Sequence, residues 1–192
     1  MAVLLTGRNP IKTYETIIVT ATETVTAHPV SYDSSEYSYD SISNESNPIG
    51  KGSDNTTYAT INLKTGGSAE TYVYYNFDLS SIPSNATIDS VTCVAKGYIS
   101  NASSTYIPTR TIQLYSGSIA KGGSATLTTT ATTHTFDGGA WTREELNDCR
   151  IKLYAKRGSF MGTSTARNMQ FYGADLTITY TYDYEEEKVE YI

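Results

Sequence analysis

The chain has 192 residues, with 17 Tyr, 14 Gly, only 18% charged side chains and a net charge of −6. That length supports one packed domain plus an extension and is short for two ordinary domains. The acidic balance excludes nucleic acid as a partner, and the lack of any apolar run near the roughly 20 residues that cross a bilayer excludes a helical membrane protein. β-branched and aromatic residues suit a pleated surface while Gly and Ser suit turns, so the composition points to an all-β protein.

The amino terminus carries Val3, Leu4 and Leu5 without a basic region ahead of them or a long apolar core, so it does not read as a secretion signal. From Ile17 to Ala27, Ile17, Val19, Ala21, Val25 and Ala27 alternate with Thr16, Thr20, Thr22, Thr24 and Thr26. Val3, Leu4, Leu5, Ile17, Ile18 and Val19 are too apolar to leave in water, which makes residues 1–30 a candidate docking arm that adds a strand to a partner. The first strand of the chain's own sandwich is an equal reading. Residues 31–56 form a Ser/Asn/Gly-rich connecting segment, in which "SSEYSY" offers a short strand, and "TYATINL" offers another just beyond it.

The sandwich proper is expected over 57–184. Val73, Tyr75, Phe77 and Leu79 share one face of a strand, and Tyr72, Tyr74, Asn76 and Asp78 the other. "SSIPSNAT" breaks this pattern, because Pro83 fixes φ and Ser84-Asn85 form a turn, with Ile82 placed to plug the core. The next run aligns Val91, Cys93, Ala95, Gly97 and Ile99 opposite Thr92, Val94, Lys96 and Tyr98. Downstream come Ile112 with Leu114, a Thr-rich strand or pair in "ATLTTTATTHTF", and Ile151, Leu153 and Ala155 opposite Lys152, Tyr154 and Lys156. Between these, "WTREELNDCR" carries a capping box, Thr142 with Glu145, and predicts one short helical turn with Trp141 and Leu146 packed beneath the sandwich. In the loop at 157–168, Phe160 and Met161 sit amid Gly, Ser and Thr, where an apolar tip is costly unless it meets a neighbour. A last run aligns Ala174, Leu176, Ile178, Tyr180 and Tyr182, and an acidic tail closes the chain at 185–192. About eight short strands spaced by turns give the expected fold: an antiparallel, jelly-roll-like β-sandwich with one short helix and an extended N-terminal arm.

No constellation of residues spells out a reaction. His28 and His134 lack a second ligand at strand or helix spacing, no spacing pairs the carboxylates, and there is no phosphate loop or nucleophile elbow. "GKGS" at Gly50 and "KGGS" at Lys121 read as turns. No metal, cofactor or catalytic residue is expected. Cys93 and Cys149 lie in or beside apolar strands and read as buried, reduced thiols. The tail from Tyr182 holds five acids against Lys188, while 150–167 holds five basic residues and no acid, opposite patches that a self-assembling protein could join between copies.

The corner "FDLSSIPSNATI", together with "WTREELNDCRIKLYAKRG" and the closing "YGADLTITY", resembles the jelly-roll domains of tailed-bacteriophage structural proteins of the head decoration, head fibre and tail-associated kinds. The likeness runs over roughly 53–184 and leaves out the arm and the tail. It implies a non-enzymatic virion protein, an accessory, decoration or fibre component of the head, assembled in the reducing cytoplasm of a bacterial host. Its partners would be other virion proteins and copies of itself. The alternative is a tail-associated carbohydrate-binding module, with Tyr72, Tyr74 and Tyr98 as stacking residues for a host glycan.

Overall fold

The computed structural model describes residues 12–159 and 166–191. The chain is a β-sandwich of eleven strands: β1 Lys12–Ala27, β2 Pro29–Tyr32, β3 Ser41–Ser43, β4 Ala59–Asn62, β5 Glu70–Phe77, β6 Thr87–Ile99, β7 Thr109–Ser116, β8 Ile119–Thr126, β9 Thr132–Asp137, β10 Cys149–Lys156 and β11 Asn168–Tyr191. One sheet runs β3-β4-β11-β6-β9 with β1 also on β11, and the other runs β2-β5-β10-β7-β8. All named pairings are antiparallel. Taken alone, β4 to β11 stand in the orders first-eighth-third-sixth and second-seventh-fourth-fifth. That interleaving is a jelly roll.

Period-two alternation sets the core. Val73, Tyr75, Phe77 and Leu79 are buried against Val91, Cys93, Ala95 and Ile99 from β6, with Ile112, Leu114, Ile151, Leu153, Leu176 and Ile178 completing the layer. Ile82 plugs the end of the sandwich at the Pro83 corner. Cys93 and Cys149 are free, buried thiols, and desolvation pushes both well above the ordinary thiol range.

The expected helical turn is a 3-10 turn at Glu145–Asp148. Its capping box is formed: the Thr142 amide donates to Glu145 Oε2 at 2.8 Å and the Glu145 amide to Thr142 Oγ1 at 3.2 Å. Trp141 and Leu146 are buried, and the indole N–H donates to the Gly138 carbonyl at 2.8 Å.

Two turn readings part company. "GKGS" is a turn, with Gly50 at φ +68°. "KGGS" lies inside β8, where Gly122, at φ +59°, sits beside a register shift in the β7–β8 pairing. A Cβ at Gly122 would lie 2.3 Å from the Asp137 carbonyl oxygen, so its lack of a side chain serves a bulge that lets two backbones meet.

Residues 31–56 are laid on the sandwich and contain β3. Ser53 donates to Asp175 through its amide at 2.9 Å and its hydroxyl at 2.6 Å, and Asn55 Nδ2 donates to the Tyr172 carbonyl at 2.7 Å. The many Ser and Asn side chains of this segment thus satisfy backbone and carboxylate groups that would otherwise stay unpaired.

Candidate functional site

β11 is long enough to leave the sandwich. Its pairing with β6 ends at Thr181 opposite Thr87, yet its pairing with β1 continues to Tyr191 opposite Lys12. Beyond the sandwich the two terminal segments therefore form a two-stranded ribbon, residues 12–21 against 182–191, about 30 Å long at 3.3–3.4 Å per residue. Asn85 Nδ2, on the Pro83 corner, donates to the Asp183 carbonyl at 2.8 Å and steadies its base. The N-terminal stretch and the acidic tail, separate in the sequence, are here one element. Ile17, Ile18 and Val19 lie on it, opposite Glu186, Glu185 and Tyr184 of the same chain.

The two faces of the ribbon differ. On one, Thr20 Oγ1 donates to Asp183 at 2.6 Å, and the same face continues into the sandwich sheet, where Thr22, Thr24 and Thr26 meet Thr181, Thr179 and Thr177 at 3.1, 3.0 and 3.3 Å, a cross-strand hydroxyl ladder. On the other, the core line Leu176, Ile178, Tyr180 is carried outward by Tyr182 and Tyr184, whose rings follow at 5.9 Å spacings. The Glu23 carboxylate accepts from the Tyr180 and Tyr182 hydroxyls, both at 2.9 Å. Ile17, Val19 and Ala21 share this face and lie outside the core. The ribbon holds six acids and two lysines, a net charge of −4. Among the described residues, no strand but β11 pairs with β1.

A second cluster occupies the outer face of the other sheet. Lys152 on β10 has its Nζ 4.7, 5.2, 5.1 and 5.3 Å from the ring centres of Tyr72, Tyr74, Tyr115 and Tyr154. These are cation–π distances on four rings from three adjacent strands. Desolvation among the rings holds the Lys152 ammonium below the ordinary lysine value. Arg150 stacks on Tyr74 at 3.8 Å and donates to Asp33 at 3.1 Å and Glu36 at 2.8 Å. Burial raises Asp33, but the Ser35 hydroxyl and amide, the Glu36 amide and Arg150 outweigh it and hold the carboxyl below the usual range. Lys156 pairs with Glu70 at 2.8 Å, and its hydrogen bond, followed by that of Tyr154, lowers the Glu70 carboxyl. Beside Arg150 a polar cleft of about 440 Å³ is lined by Asp33, Asn76, Gly117, Asn147 and Asp148 among others.

Of the three proposed stacking residues, Tyr72 and Tyr74 come together here. Tyr74 is 3% exposed, covered by Arg150, and offers no ring face to a sugar. Tyr98 is on β6 in the opposite sheet, paired with Gln170. Tyr115 and Tyr154, at outward positions of β7 and β10, join Tyr72 and Tyr74 around Lys152. Val3, Leu4, Leu5, Phe160 and Met161 lie outside the described residues. His28 Nδ1 lies 3.2 Å from Asp175 and 3.2 Å from the Ala174 carbonyl, and His134 is paired with Thr132. Among the described residues no three His, Cys, Asp or Glu side chains gather as a metal site would require.

No family model, curated protein or solved structure matches the chain.

Proposed function

We propose that this is a non-enzymatic structural protein that is held in a larger assembly by its β1–β11 ribbon. In keeping with the sequence resemblance, that assembly is a tailed-bacteriophage particle in which the chain is an accessory, decoration or fibre component of the head. The ribbon is the observation that carries the reading. A two-stranded ribbon is marginal alone in water, yet this one projects about 30 Å with no further described strand on either outer edge and an apolar line of Ile17, Val19 and Tyr184. Such an element gains its stability by docking, while the jelly roll behind it stays a rigid body. Density-gradient-purified particles from the host that carries this gene should contain the chain at a fixed copy number, and the chain with Ile18→Lys should be lost from them. Its absence from purified particles would refute the reading.

The tyrosine face supports a second reading, carbohydrate binding, because the cleft at Arg150 places Asn76, Asn147 and Asp148 beside an aromatic surface. Polar groups next to rings suit a sugar's mixed surface. Tyr72→Ala and Tyr115→Ala would then each weaken retention on host cell-wall glycan at least tenfold. Unchanged retention excludes this reading and leaves the first intact.

A further inference from the structure

The outward row of β1 reads Thr16, Ile18, Thr20, Thr22, Thr24, Thr26, and Ile18 alone breaks it, 65% exposed. Ile17 and Val19 face the other way, so the strand is apolar on both sides at one place. A two-stranded ribbon gives such residues few neighbours, and a further strand paired on the β1 edge would supply cross-strand partners on both faces. From Thr16 to Thr22 the strand has no charge, Pro or Gly, and six of its seven residues are β-branched, the composition of a self-pairing segment. Natural edges are guarded by bulges, prolines or charges. The β1–β11 register has no shift, and the nearest charges on β1 are Glu15 and Glu23.

We propose that β1 pairs antiparallel with β1 of a second copy of this chain about a twofold axis at Ile18. This deepens the docking reading above and rests on it. A twofold axis normal to a sheet keeps each face on its own side, so only residues of one face can oppose one another. With the axis at Ile18, Ile18 meets Ile18, Ile17 meets Val19, Thr16 meets Thr20, and Tyr14 meets Thr22. Glu15 then faces Ala21 and Glu23 faces Thr13, so no like charges are opposed. Moving the axis to Val19 sets Glu15 against Glu23, and moving it to Ile17 sets Ile18 against Thr16. Only the register at Ile18 covers all three apolar residues.

The pair joins two six-stranded sheets into one continuous sheet and leaves no β1 edge for a third copy. This closure explains how an unguarded segment coexists with a folded protein. The acids of β11 lie one strand back, so those of the two copies stand about three strand spacings apart, roughly 14 Å. That exceeds the screening length of about 8 Å at physiological salt, and the association therefore tightens as salt is raised from low ionic strength.

The test uses the full chain. Sedimentation should give a species of twice the 21.0 kDa chain mass, and Ile18→Lys should weaken it at least tenfold while thermal unfolding at a dilution where both chains are monomers stays the same. Under mild oxidation Ile18→Cys should link to itself. Tyr14→Cys should link to Thr22→Cys when the two are mixed, and not to itself. Cys93 and Cys149 are buried and do not compete. A wild-type chain that stays monomeric and an Ile18→Cys chain that does not link would overturn the proposal. If Ile18→Lys nevertheless frees the chain from particles, the ribbon docks on a different protein and only the self-pairing fails. If Ile18→Lys alters neither association nor particle retention, the docking reading fails with it.

Discussion

Gly173 shows how a single residue fixes the point where β11 changes partners. It sits at φ +152° in a register shift of the β6–β11 pairing, and a Cβ there would come within 2.5 Å of the Lys51 and Gly52 carbonyl oxygens. Gly173→Ala forces the 31–56 segment off the sheet, and it should cost roughly 2 kcal/mol, a fall of about 4–8 °C in Tm for a domain of this size. Calorimetry checks it, and an unchanged Tm would show that the close approach is not needed. The tyrosines carry a pH signature. Burial first and the Glu36 charge second push Tyr74 up to about 12, and burial followed by Glu70 does the same for Tyr154. Because the fold disfavours their ionised form, their contribution is complete below pH 10 and is lost as pH rises from 10 to 12. Phenolate absorbance should therefore show Tyr74 and Tyr154 ionising near pH 12 or on unfolding. A single wave near pH 10 in a folded protein would contradict the cage geometry.

At the scale of the element, the ribbon stands apart from the body it extends. The buried core runs from Ala59 to Tyr180, and of the ribbon residues only Tyr182 packs against it. A chain lacking 1–21 and 183–192 should keep cooperative unfolding and lose only a few degrees of Tm, whereas loss of cooperativity would make the ribbon part of the folding unit. The sequence announces the strands of the jelly roll because each has a dry and a wet face, and Val73, Tyr75, Phe77 or Ile151, Leu153, Ala155 fall on the dry one as alternation requires. It marks the β1 half of the ribbon through the alternation from Ile17 onward, but not the half at 182–191. Glu185, Glu186 and Glu187 show no alternation, since neither face is buried there, and a run of acids looks like a solvated tail. The Lys152 cage is hidden for a related reason. Its four tyrosines come from three strands, and only the β5–β10–β7 order brings them together. Tyr98 shares their spacing within a strand but belongs to the other sheet.

On the scale of the whole molecule, a jelly roll with residues 12–21 and 182–191 drawn into one projecting ribbon presents three surfaces among the described residues: a threonine ladder, a tyrosine–lysine face and an unguarded β1 edge. The edge has the strongest physical demand for a partner, because the outward amides and carbonyls of β1 bond to no other described strand while apolar residues lie on both its faces. Ionic contacts on the tyrosine face are already satisfied internally by Asp33, Glu36 and Glu70. Hydrogen exchange by mass spectrometry on the same full-length chain, free at high dilution and again within purified particles, reads the edge directly. In the free chain about half of the β1 amides, those bonded to β11, should be protected, and the outward half should exchange at once. In the particle the outward amides between Thr16 and Thr22 should become protected by at least a hundredfold while β5, β7 and β10 stay unchanged. Equal exchange of β1 in both states would show that the ribbon does not hold the protein in place.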